Sequence, residues 1–178
     1  RARPFLFDRC GRETACKSAL SPAADLSRAR ARLGSIAGAP SDEMFVEKLR
    51  SLMYQPSSAR RIPYIVNRAA NGDLSPFYAA TRPQGPGLYA DGMFLSVICS
   101  ESMALMDVPA ATEVARKTVF GDYRLRRQAE ACAEWPRGKV ADNHLRPVAS
   151  DAAVLLLSGE LDPVTPPEWA DGVARTLP

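Results

Sequence analysis

Residues 151–169 read DAAVLLLSGELDPVTPPEW. Ala152–Leu157 is a continuous apolar run, bounded by Asp151 before it and Ser158-Gly159 after it. Six such residues suit a strand buried on both faces of a parallel sheet, and are short for a buried helix. Beyond them, Thr165-Pro166-Pro167-Glu168 has the Ser/Thr-x-x-Glu spacing of a capping box, with proline in the first helical turn. Trp169, Val173 and Leu177 then fall four apart, on one helix face. The stretch predicts strand, loop and helix: one α/β unit. One strand makes no sheet, so its neighbours are expected outside this chain or in another copy of it. Asp162 stands at the carboxyl end of the run, where open α/β sheets carry their functional groups. Pro163 biases Asp162 towards extended backbone and so fixes where its carboxylate points. From spacing alone, an ordinary turn-forming Asp is an equal alternative.

Upstream, the patterning is helical. Ala23–Ala37 follows Ser21-Pro22 and repeats Leu26, Leu33 and Ile36 at helical spacing. Ser41–Met53 opens on Ser41 as N-cap with Asp42 and Glu43 in its first turn, and gathers Phe45, Leu49, Leu52 and Met53 on one face. Ser57–Ala70 carries the stripe Ile62, Ile65, Val66 and Ala69 and ends at Asn71-Gly72. A short helix is expected over 73–80, a Pro/Gly-rich loop over 81–87 and a helix over 91–106, although Val97 and Ile98 also suit a strand. Asp107–Gly121 and Asp122–Trp135 read as two further helices, the second capped by Asp122 and stopped by Pro136.

Composition removes several function classes. The 178 residues hold 23 cations and 20 anions, a net charge of +3. Arginine-rich stretches have acids nearby, which describes a solvated helix face rather than a nucleic-acid footprint. No apolar run approaches a membrane span. One histidine, His144, and no Cys-x-x-Cys argue against a metal centre, and no glycine-rich phosphate cradle is present. No cofactor is expected. Cys10, Cys16, Cys99 and Cys132 allow three pairings.

The stretch PVASDAAVLLLSGELDPVTPPEWADGVARTLP resembles the acid-bearing strand and loop of α/β-hydrolases. It is similar, more narrowly, to that of the tripeptidyl aminopeptidases and proline iminopeptidases. The segments DRCGRETACKSAL, FVEKLRSLMYQPSSARRIPYIVNRAANGDLSPFY, ADGMFLSVICSESM and FGDYRLRRQAEACAEWPRG follow the same group in order. The resemblance implies a mainly α chain: a helical cap over 1–150, then one strand-loop-helix unit of the hydrolase core over 151–178. It implies a Ser-Asp-His triad in which Asp162 orients the histidine. This chain has no G-x-S-x-G, and GSIAG at 34–38 places its Ser one position early. His144 precedes Asp162, which is the wrong order, and is read as a solvent-exposed loop residue. The nucleophile core and the histidine segment are therefore expected elsewhere in a longer protein, and the fragment alone is expected to be inactive.

The resemblance also implies the pairing Cys10–Cys16 with Cys99–Cys132, hence a secreted or periplasmic bacterial protein. It suggests Glu101 as the carboxylate that binds a peptide substrate's amino terminus, against the commoner reading of a surface helix Glu. Met93 and Phe94 are candidates for the cavity wall. The expected activity is release of short peptides or single residues from a peptide amino terminus. An esterase or lipase of the same fold, and a stand-alone helical binding module, are the alternatives.

Overall fold

The computed structural model describes residues 2–82, 90–160, 162 and 164–177. Most of the loop expected over 81–87 lies outside them, as does Pro163. The chain is mainly α and divides into two compact units, one built from 1–81 with 146–178, the other from 82–145.

In the first unit, helices α1 (Ala2–Arg12) and α2 (Thr14–Ala19) are joined through Glu13 and tied by the disulfide Cys10–Cys16, with 5.1 Å between Cα atoms. Helices α3 (Pro22–Leu33), α4 (Asp42–Leu52), α6 (Ile62–Ala70) and α7 (Ser75–Thr81) supply the core. The sequence explains α4. Ser41 accepts the Met44 N–H at 3.2 Å, and Phe45, Val46, Leu49 and Leu52 are buried. Phe45 packs on Phe77 of α7 with ring centroids 4.8 Å apart. Each such buried apolar side chain contributes roughly 1.5–3 kcal/mol.

Helix α6 is shorter than the stripe over 57–70 suggested. A four-residue turn, α5 (Pro56–Ala59), comes first, and α6 restarts at Ile62 with Pro63 in its first turn. Proline lacks the N–H for a helix interior and tolerates only the opening turn, so the chain breaks before it. Gly72 takes φ +88° just beyond α6, the left-handed geometry that ends helices.

Between α3 and α6 lies a buried carboxylate, Asp25. It accepts from the Ser21 N–H and from Asn67 Nδ2, each at 3.1 Å, and pairs with Arg28. Arg30 of α3 forks onto Asp42 at the start of α4 with two bonds of 2.6 Å, the bidentate pairing that guanidinium geometry favours.

The strand expected at 152–157 is corrected. Among the described residues no strand forms, and the run is exposed, Leu155 at 81% and Leu157 at 85%. A strand exists only through ladder bonds to a neighbour, and none is here. The capping box is corrected as well. Helix α11 (Pro167–Ala174) starts after Pro166 with no side-chain cap, because the Thr165 hydroxyl bonds to Asp162 instead. The apolar stripe of α11 is uncovered, with Trp169 62% exposed.

The second unit contains α8 (Asp91–Val97), a π turn (Ile98–Ser102), α9 (Val108–Arg116) and α10 (Tyr123–Glu134). The segment expected as helix over 91–106 is helical over 91–102, ending four residues early, and the Met103 N–H bonds to the Ile98 carbonyl at 2.8 Å and widens its last turn. Cys99 on this turn is bonded to Cys132 of α10, with Cα atoms 5.2 Å apart, and Met103 completes the buried cluster. Asp122 precedes α10 without capping it; its carboxylate takes Arg116 at 2.7 Å.

Candidate functional site

Asp162 is the centre of a small hydrogen-bonded loop. Its Oδ1 accepts the backbone N–H groups of Val164 and Thr165 at 2.8 and 2.9 Å. Its Oδ2 accepts the Thr165 hydroxyl at 2.8 Å. These donors, the Thr165 N–H foremost, then the Val164 N–H and the Thr165 hydroxyl, hold the carboxyl below the usual carboxylate range. The loop is closed by the Asp162 N–H on the Gly159 carbonyl at 3.0 Å and by Ser158 Oγ donating to the Thr165 carbonyl at 3.0 Å. The result is a fixed anion whose Oδ1 is fully used by two N–H groups and whose Oδ2 keeps an acceptor site, which can take an imidazole N–H.

Asp162 faces a cavity of about 570 Å³ within the first unit. Its walls are Arg9 of α1, Met53 and Tyr54 between α4 and α5, Pro56 at the start of α5, and Gly159, Glu160 and Val164 of the loop. Arg9, Met53 and Pro56 also line a second cavity of about 300 Å³ that reaches the Cys10–Cys16 disulfide.

In the second unit, Glu101 is placed by the π turn, between Ser100 and the last turn residue, Ser102. The buried Ser100 hydroxyl accepts the Gly138 N–H at 2.8 Å. Arg137 donates to the Cys132 carbonyl through Nε and Nη2 at 3.1 and 2.7 Å. The Ser100–Gly138 bond fastens the segment after α10 to the π turn, and the Arg137 bonds fasten it to α10 itself. They bring His144 to Glu101, Nε2 to Oε2 3.7 Å, with the side chains 38% and 42% exposed. Met93, Phe94 and Val97 of α8 are exposed apolar neighbours in sequence, Met93 at 68%.

Residues 117–178 match the family model for TAP-like protein. This is an α/β-hydrolase family. The TAP-like segment contains Cys132, His144, the apolar run, Asp162 and α11, whereas Cys99 and Glu101 precede it. The match supports a hydrolase of this fold. No curated protein and no solved structure matches the chain.

His144 is the neighbour of Glu101 that sequence reasoning missed. It stands 43 positions from Glu101, and the approach rests on the Ser100–Gly138 bond, which no local pattern encodes. Among the described residues no group of three or more His, Cys, Asp or Glu side chains is arranged to hold a metal ion.

Proposed function

We propose that this chain is the helical cap (1–150) and acid-bearing core segment (151–178) of a secreted serine aminopeptidase. Asp162 is its triad acid. The observation that carries the reading is the Asp162 loop inside the TAP-like match, a carboxylate kept ionised by three local donors beside a cavity. Such an acid holds the histidine tautomer and stabilises imidazolium while the serine attacks. The serine and histidine come from segments of the complete protein outside these residues, and without them no acyl-enzyme forms. Glu101 receives the substrate's terminal ammonium, a charge-assisted contact. Two disulfides support an extracellular setting, and no described helix is long and apolar enough to cross a membrane.

The test is an assay of the complete protein with aminoacyl and tripeptidyl amides beside short-chain esters. Turnover of amides only with a free amino terminus, and a raised KM for them in Glu101→Gln, is the expected result. Preference for esters, indifferent to Glu101→Gln, would establish an esterase of the same fold instead.

A further inference from the structure

His144 has no place in the triad order, yet the structure brings its imidazole to Glu101. At 3.7 Å the contact is longer than a hydrogen bond, so its strength is coulombic and follows the charge on the imidazole. Both side chains remain open to solvent, so a ligand can reach the same carboxylate. We propose that the His144 imidazolium and the substrate's ammonium compete for Glu101, making His144 a pH-dependent positioning residue. The inference rests on the reading of Glu101 as the ammonium anchor.

The surroundings favour this pairing. Asp107 caps α9 through the Ala110 N–H at 3.0 Å, and Arg127 and Glu130 of α10 pair at 2.6 Å. Arg137 is held on the Cys132 carbonyl and Arg116 on Asp122. Arg126 lies over the Tyr123 ring, 5.7 Å from its centroid. The other charged groups on the elements packed around the pair are Asp91 on α8, Glu113 and Lys117 at α9, Arg124 and Glu134 on α10, and Lys139 and Asp142 in the His144 loop. Histidine is the side-chain type that ordinarily exchanges its proton between about pH 5 and 8, and His144 is the sole histidine in the sequence.

The sign follows directly. As pH falls, imidazole becomes imidazolium, occupies the Glu101 carboxylate and repels the incoming ammonium, so KM rises. As pH rises past about 7.7–8.0 the substrate's own α-amino group loses its proton, and KM rises again. Only the acid limb belongs to His144.

The experiment measures KM and kcat of the complete protein for a peptide amide with a free amino terminus, from about pH 5.5 to about pH 7.5. KM should be about threefold higher at the acid end, the size of a half-exposed ion pair. His144→Gln should flatten that limb. His144→Lys should hold KM high at both ends. Glu101→Gln should raise KM throughout and abolish the limb. An N-blocked ester should show no limb. An acid limb that persists in His144→Gln, or that the N-blocked ester shares, overturns the competition while leaving the anchor in place. A KM indifferent to Glu101→Gln overturns the anchor itself, and the competition with it.

Discussion

The Asp162 carboxylate accepts three hydrogen bonds from residues two and three positions ahead, so its charge state is set by its own loop. Thr165→Val deletes one of those donors and keeps the side chain's shape. The Asp162 carboxyl should then titrate closer to the ordinary value of about 3.9, as followed by carboxyl carbon NMR. On the proposed role as triad acid, Asp162→Asn in the complete protein should lower kcat on the order of 10⁴-fold, the cost of the wrong histidine tautomer in known triads. A second carboxylate makes the complementary case. Asp73 is brought down to about 2, chiefly by Arg68 and then by Ser75. Its folded pKa lies below its unfolded one, so its stabilising effect is complete above about pH 4 and fades as pH falls towards 2. Arg68→Met should remove most of that acid-range slope in urea unfolding curves collected from about pH 4 downwards.

The helices differ in how openly the chain announces them. Helix α4 has a serine cap, two first-turn acids and a repeating apolar face, and it forms where those signals place it. Helices α1 and α2 have no comparable signal; the Cys10–Cys16 bond across their junction joins them. Around Pro63 the stripe of Ile62, Ile65 and Val66 is genuine, but one ring without an N–H moves the helix start to Ile62. At Thr165 the local code has two solutions, capping α11 or bonding Asp162, and the second prevails. The disulfides offer a quantitative comparison. The Cys99–Cys132 loop spans 33 residues and the Cys10–Cys16 loop 6. Loop-closure entropy then predicts that the Cys99→Ala, Cys132→Ala pair costs about 3–4 kcal/mol, and the Cys10→Ala, Cys16→Ala pair about 2 kcal/mol. Chemical unfolding of the two double variants tests that order.

For the whole molecule, the place of Asp162 after an apolar run and before a helix is local information, but that place alone suits a turn-forming Asp equally, and only the family resemblance implies a triad acid. The ladder for that run was not legible, since it depends on partners that a single run cannot specify. The stretch Val154–Leu157 presents four consecutive exposed apolar residues that form no strand with any described residue, which is a template for association. Sedimentation of this chain should accordingly show concentration-dependent self-association. Leu157→Lys should suppress it with a change in unfolding free energy within about 0.5 kcal/mol, since an 85% exposed side chain has little packing to lose. Unchanged association in that variant would locate the sticky surface elsewhere, the exposed stripe of Trp169 and Val173 on α11 being the next to test.

The bond from Met103 to the Ile98 carbonyl accommodates one residue more than an α-turn holds. Deleting a single codon within 98–102 would let the helix close its ladder normally, and turn everything on one side of the deletion by about 100°. Cys99 and Glu101 would then no longer meet Cys132 and His144 together. The pairing of a covalent cross-link with a movable charge contact is thus written in a reading-frame-length detail: one extra residue, silent in hydropathy, that a length-changing mutation erases at once while most point substitutions leave it standing.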